Sequence, residues 1–540
     1  MPRPPPPGAG RGRTAPVRGR RACRGARPAA LYWKRKHRLT RGMAVSSSDP
    51  LLPDKPQRVF DREAEWQALA AFACDSRPEA RLGVVGGRLR QGKTCLLGAL
   101  TGALGGFYFG AQQGTETESL SHLADELARH GNTSPPPHWH GWEDAVDDLL
   151  ALGDRRPTPV VIDEFPDLVR QSPSLPSVLH SAYRRHDGGR PGRARLLLSG
   201  SSMPLMHRLF STASPLRELS DLHLTVHPLD HRQAARFWGI DDPGLALLVH
   251  AVVGGTPAYR RDYVGDDAPA GREDFDAWVA RSVLNPGKPL FREAYHLLQE
   301  EIDLKDRALC HSALSAVASG CSTQGQVADC LGAPLTDTAR CLGLLREHGL
   351  LHSEADAFRP ALIRLRVAEP LLAFEHAAVR PYRSALEQQG PVAVWKHARP
   401  VFDSLVARPH FAQICRDWVL RFAGPDVFGA RPGSATRGTL ADPAHPGGTD
   451  VAAEVVVRGH GAARNGSLLS VGLARWDEAM DLEHLERLSG ILDLLARRGE
   501  DVTRARPACY SGVGFSPALR AVEARGQVVL VGLDRLYGRT

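Results

Sequence analysis

The most constraining feature of this chain is one eight-residue loop, Gly87-Arg88-Leu89-Arg90-Gln91-Gly92-Lys93-Thr94. It fits GxxxxGK[ST] in full, and it lies where that pattern has mechanical meaning. A short apolar run, Arg81 to Gly86, precedes it and reads as a strand; a helix is expected from Lys93. Gly87 and Gly92 permit backbone conformations that turn several N–H groups toward one anion. The helix that opens at Lys93 points its positive end at the same place. Lys93 adds a mobile charge for the outer phosphates of a nucleoside triphosphate, and Thr94 offers a hydroxyl to Mg²⁺. Gly87, Arg88, Leu89, Arg90, Gln91, Gly92, Lys93 and Thr94 are thus the expected nucleotide cradle.

A loop of this kind hydrolyses nucleotide only with acids from a neighbouring strand. Pro159-Val160-Val161-Ile162-Asp163-Glu164 supplies two at the end of an apolar run. Asp163 is expected to hold Mg²⁺ with Thr94, and Glu164 to orient or deprotonate the attacking water. A third run, Leu196-Leu197-Leu198, ends in Ser199-Gly200-Ser201-Ser202. Ser199 or Ser201 is placed to sense a γ-phosphate; a Ser-rich turn is the plainer reading.

Around these motifs strands and helices alternate from about residue 57 to 228, with strands expected at 81–86, 105–110, 159–164, 195–200 and 222–227. Alternation of this kind implies a parallel sheet covered on both faces. Residues 229–300 read as a mainly helical lid, and 306–375 as three helices followed by a short wing. Residues 376–540 return to an α/β pattern, interrupted by a Gly/Pro-rich stretch at 424–448. The fold class expected is multidomain α/β, in keeping with 540 residues, which exceed one compact core.

Charge excludes one function class. The chain holds 68 Lys+Arg against 60 Asp+Glu, a net +8. Residues 1–42 contribute 11 Arg, 2 Lys and no acid, so 68 − 13 = 55 basic face 60 acidic residues thereafter, a balance of −5. The basic character belongs to one Arg/Pro-rich extension that cannot build a core. That extension reads as a nucleic-acid arm, a transit-like peptide or the product of an upstream start codon, with Met43 as the expected start. A protein that coats nucleic acid through its whole surface is excluded. No apolar run is long enough to span a bilayer. Nine Cys lack any CxxC spacing and fit reduced thiols in the cytoplasm. Cys310, Cys321, Cys330 and Cys341 are expected at buried helix positions.

The motifs together resemble archaeal and bacterial P-loop ATPases of the AAA-related signal-transduction (STAND-like) group, which carry a winged helix and a C-terminal restriction-endonuclease-like domain. Phe60-Asp61-Arg62-Glu63 is similar to that family's F-x-GRE box, with Asp61 where Gly is usual. GGRLRQGKT, VVIDEFPDL and LLLSGSSMPLM match its core motifs, and Gly254-Gly255-Thr256-Pro257-Ala258-Tyr259 its GGxPxY turn. The resemblance implies ATP with Mg²⁺, and adenine over guanine. It also exposes departures. In the segment similar to PLxGR, Pro215-Leu216-Arg217 is followed by Glu218-Leu219, so an Arg role passes to Arg217 or is lost, and slow or partner-dependent hydrolysis is expected.

In the C-terminal domain the resemblance implies a degenerate nuclease site. Asp450 falls at the family's strand Asp, Leu473 replaces the Glu, Arg475 the Lys and Ala412 the helix Glu, with Glu454 a substitute candidate. One carboxylate holds metal poorly, and Arg does not release a proton as Lys can. Nuclease activity is therefore not expected.

Three functions remain open: a nucleotide-controlled switch acting on a protein partner; a DNA-processing ATPase, for which the third helix of 306–375 is poorly basic; and a non-hydrolysing scaffold. An oligomer is compatible with each.

Overall fold

The computed structural model describes residues 52–186, 192–212, 214–301, 307–441, 450–460 and 466–539. The expectation for residues 1–42 lies outside them. Leu52–Thr540 forms one compact unit.

Five strands build the first sheet: β1 Arg81–Gly86, β2 Phe107–Gly110, β3 Thr158–Asp163, β4 Ala194–Gly200 and β5 Ser220–Thr225. All pairings are parallel, in the order β2-β3-β4-β1-β5. Every residue of β1, β3 and β4 is buried, as central parallel strands covered on both faces require. Their side chains alternate between two cores. Leu82, Val84, Val160, Ile162, Leu196 and Leu198 join one. Val85, Val161 and Leu197 join the other, with Leu96, Leu97 and Leu100 of the loop's helix, Lys93–Leu104. The expected strands are all present; the first residues of 105–110 stay outside β2, and β5 begins at Ser220 and ends at Thr225.

Residues 306–375 hold helices Arg307–Ala318, Gln324–Leu331 and Leu335–Glu347, then an antiparallel hairpin, β6 Leu351–Ala355 with β7 Ile363–Val367. A second sheet follows in the order β12-β11-β10-β9-β8, with β8 Pro432–Ala441, β9 Asp450–Gly459, β10 Leu468–Arg475, β11 Arg506–Ser511 and β12 Val529–Gly532. β8, β9 and β10 pair antiparallel; β10, β11 and β12 pair parallel, with helix Leu482–Arg497 crossing between β10 and β11.

Two expectations are corrected. The stretch 424–448 is no simple interruption, because β8 lies within it. Gly438 is what lets β8 pass: a Cβ there would stand 2.4 Å from the Phe358 ring. The four cysteines also differ among themselves. Cys310 and Cys341 are buried with sulfurs 3.3 Å apart, whereas Cys321 lies beyond its helix and Cys330 is exposed.

The expected segment boundaries do not divide the core. One continuous cluster runs from Leu229 through Trp278, Leu314, Phe374, Phe411 and Val455 to Tyr537. The helices at 229–300, the three-helix region and one face of the second sheet share it, so displacement of one is felt by the others.

Candidate functional site

The loop 87–94 leaves β1 at its C-terminal end, the edge where parallel sheets place ligands. Gly87 has φ +154°, and a Cβ on it would lie 2.5 Å from the Val226 carbonyl oxygen, so β5's end and the loop can meet only at glycine. Gly92 takes φ 91° immediately before the helix, and Arg90 is left-handed at φ 66°. Gln91 is buried. Lys93 is folded onto its own loop, donating to the carbonyls of Gly87 at 2.7 Å and Arg88 at 3.1 Å.

Thr94 and Asp163, 69 residues apart in sequence, meet: Thr94 Oγ1 donates to Asp163 Oδ2 at 2.7 Å. Tyr108 Oη donates to the same oxygen at 2.7 Å, and Glu164 N–H to Asp163 Oδ1 at 3.1 Å. A hydroxyl and a carboxylate in contact at the foot of an anion-binding loop are hard oxygen donors of the kind Mg²⁺ takes alongside phosphate oxygens. Both the loop conformation and this pair therefore fit a magnesium-bound triphosphate. Among the described residues there is no cluster of three or more His, Cys, Asp or Glu that could hold a metal.

Glu164 follows β3 in a left-handed conformation, φ 50°. Its Oε2 accepts from Ser201 Oγ at 2.8 Å and from Ser201 N–H at 3.1 Å. Burial pushes its carboxyl above the ordinary range, against the opposing pull of Lys93 and of the two Ser201 bonds. A raised carboxyl held beside Lys93 is the type of group that can serve as a base near neutral pH. Ser199 is fully buried with an unpartnered Oγ among the described residues, and it pairs with Val85 across the strands. Ser201 therefore touches the expected base, and Ser199 sits inside the sheet beneath the loop.

Arg217 is placed elsewhere. It lies on the short turn Leu216–Leu219 and donates to the Phe210 carbonyl at 3.2 Å. That turn leads into β5 at Ser220, which stands beside Leu82, near the N-terminal end of β1. The loop leaves the opposite end of β1, about 13 Å further along the strand at roughly 3.3 Å per residue. A role for Arg217 at its own chain's loop is corrected by this placement.

Arg62 and several partners absent from the sequence expectations, Glu369, Glu293, Glu300 and Tyr263, fix the loop. Arg62 Nη2 donates to the carbonyls of His227 at 2.7 Å and Gln91 at 3.3 Å, closing the loop against β5's exit. Arg88 is ion-paired with buried Glu369 at 2.8 Å. Arg90 is ion-paired with Glu293 and Glu300, each at 2.9 Å, and its Nε also donates to Tyr263 Oη. Burial pushes the Glu293 carboxyl up to about 7. The variable positions of the motif thus face the helix Leu290–Glu301 and the segment after β7. Arg62 was signalled by the box at 60–63; the acids opposite Arg88 and Arg90 had no local signature. In the turn at 254–259, Gly255 is required because a Cβ would lie 1.8 Å from the Leu229 carbonyl oxygen.

In the second sheet the acid beside Arg475 is Glu454, at 3.3 Å, whose Oε2 also accepts from Ala474 N–H. Asp450 stands at the start of β9, ion-paired with Arg359 at 2.5 Å. Asp450 and the substitute candidate Glu454 are thus each ion-paired with an arginine, Arg359 and Arg475 respectively. Leu473 is fully buried.

No family model matches this chain, and no curated protein matches it. Among solved structures, the Walker-type ATPase PABY2304 of Pyrococcus abyssi is 19% identical over 61% of this chain and 99% of its own, with a TM-score of 0.44. The ORC2 protein of Aeropyrum pernix in ADPNP–ADP complexes is 16% identical over 63% of this chain and 97% of its own, TM-score 0.37. The Aeropyrum pernix ORC1 protein in complex with DNA is 16% identical over 63% of this chain and 95% of its own, TM-score 0.30. At these identities and TM-scores the likenesses assign neither fold nor activity to this chain.

Proposed function

We propose that this chain binds ATP with Mg²⁺ at the loop 87–94 and hydrolyses it slowly, as a nucleotide-controlled switch. The contact between Thr94 Oγ1 and Asp163 Oδ2 at 2.7 Å carries the reading, since it brings both expected metal ligands together at the loop. Lys93 and the loop N–H groups would hold the phosphates, and Thr94 and Asp163 the metal, which supplies charge neutralisation at the outer phosphates. Glu164 would take a proton from the attacking water once it is released from Ser201.

The switch follows from where the loop is anchored. Arg88 and Arg90 are tied to Glu369, Glu293 and Glu300, so a change in loop shape is carried to the lid and to the segment following β7. We read residues 306–375 as a winged helix and the second sheet as an inactive nuclease-like domain. Both serve as the surfaces that report nucleotide state to a protein partner. Arg217 would reach a γ-phosphate only in a neighbouring copy, which makes turnover dependent on assembly.

The test is ATP turnover by the full chain and by Glu164→Gln. The reading expects slow Mg²⁺-dependent release of phosphate, and a Gln variant that binds ATP but retains it unhydrolysed. Equal turnover in both proteins would remove Glu164 from the mechanism.

A further inference from the structure

A cavity of about 1080 Å³ is not lined by Lys93, Thr94, Asp163 or Glu164. It touches the loop at Gly87, Arg88 and Gln91 and extends between the β6–β7 hairpin, helix Arg408–Arg421 and strands β8 to β10. Its charge is unbalanced at one wall. Arg364 there is paired with Asp356, and Arg475 with Glu454. Arg366 on β7 and Arg437 on β8 have buried Nε atoms with no hydrogen-bond partner among the described residues. Among the described residues Arg416 donates to neutral acceptors alone, the Glu454 main-chain carbonyl at 2.9 Å and Gln413 Oε1 at 2.6 Å.

Three separate elements therefore turn guanidiniums that, among the described residues, hydrogen-bond no carboxylate toward one space, which Glu354 and Asp417 also line. Burial, then the charge of Arg416, holds Arg366 down to about 10, with Asp417 and Glu354 acting the other way. Burial and the charges of Arg364 and Arg416 likewise hold Arg437 below its ordinary value, opposed by Glu454 and Asp356. Burying like charges together is costly unless an anion completes them, and planar guanidiniums match phosphate oxygens two at a time. Trp476 lines the same cavity, half-buried, its ring 5.6 Å from that of Phe411, and gives a base a surface to stack on. The volume lies just above the roughly 300–1,000 Å³ of small-molecule sites and so suits a compact ligand.

We propose that this cavity is a second ligand site, which binds a small organic phosphate of nucleotide or dinucleotide size through Arg366, Arg416 and Arg437. Its occupancy reaches the loop by a short route. Arg366 lies on β7, and Glu369, two residues past that strand, holds Arg88. The site does not depend on ATP hydrolysis at the loop.

The test is equilibrium dialysis of the labelled dinucleotide pApA with the full chain, the wild type compared with Lys93→Ala, Arg366→Gln/Arg437→Gln and Arg366→Lys/Arg437→Lys. Thermal melts of each protein separate lost binding from lost folding. Binding is expected to survive Lys93→Ala, to weaken about tenfold or more in the Gln pair, and to be only partly restored in the Lys pair, which keeps the charge without the planar fork. No pApA binding, binding abolished by Lys93→Ala in a folded protein, or binding indifferent to the Gln pair would each overturn the proposal. A twelve-nucleotide single strand that binds about a hundredfold more tightly than pApA, with the same arginine dependence, would also overturn it, in favour of a nucleic-acid channel.

Discussion

Ser201 holds Glu164 by two bonds at once, hydroxyl to Oε2 at 2.8 Å and backbone N–H to the same oxygen at 3.1 Å. Both favour the ionised carboxylate and offset the burial that raises it. Ser201→Ala removes one of them, so the Glu164 carboxyl rises further. The acid limb of kcat against pH should then move to higher pH in the variant. A profile superimposable on the wild type would mean that Glu164 is not the titrating base.

The pair Arg88–Glu369 joins the loop to the segment after β7, with Glu369 only 3% exposed. Removing one partner strands the other charge. Glu369→Ala should lower unfolding free energy in urea by roughly 3–5 kcal/mol, with ATP affinity weakened in the same variant. A stability loss below about 1 kcal/mol would show that the pair is dispensable to the loop.

Gly87 tests the backbone argument. Its left-handed φ and the Val226 carbonyl 2.5 Å from a Cβ leave no room for alanine. Gly87→Ala should cost more than about 1 kcal/mol and disrupt the loop. Titration of ATP into a still-folded variant checks this, with loss of binding expected.

His250 Nδ1 and His410 Nε2 are 2.8 Å apart, and both rings are held below the ordinary range, chiefly by burial, then by His231 for His250 and by His250, Arg366 and His231 for His410. His250 lies at about 4. In the unfolded chain these rings take protons near pH 6.5, whereas the folded chain resists, so the unfolded state binds more protons between the two values. Stability contributed by the pair is present above about pH 6.5 and is lost as pH falls toward 4. Melting temperature followed from pH 7 to 4 should fall, and His250→Gln/His410→Gln should flatten that fall.

Much of this was legible because it is local. The loop, the strand before it and the acids after β3 sit in contiguous runs whose residue types dictate their geometry, and β1, β3 and β4 fall where apolar runs stop. What was not legible depends on partners far apart in sequence. Glu369 is 281 residues from Arg88, and nothing near it marks it as a partner of the loop. Glu454 became the acid beside Arg475 only once the register of β9 against β10 was set, since Val455 opposite Gly472 carries its neighbour to that place. Arg217 was misplaced for a related reason: proximity to the third motif in sequence does not say which end of a parallel strand a residue occupies.

That placement yields its own expectation. Arg217→Ala should leave ATP affinity of the isolated chain unchanged, while lowering turnover only at protein concentrations where copies associate. Turnover per chain measured across a concentration series checks this; a loss of activity independent of concentration would place Arg217 at its own loop after all.

The central claim is that the loop 87–94 is a magnesium-dependent ATP site. Calorimetric titration of MgATP into the full chain and into Lys93→Ala, with and without Mg²⁺, tests it most directly. The account predicts saturable binding by the wild type that needs Mg²⁺ for full strength and that weakens about tenfold or more without the Lys93 ammonium. Absence of ATP binding, or binding equally strong in Lys93→Ala and without Mg²⁺, would contradict it.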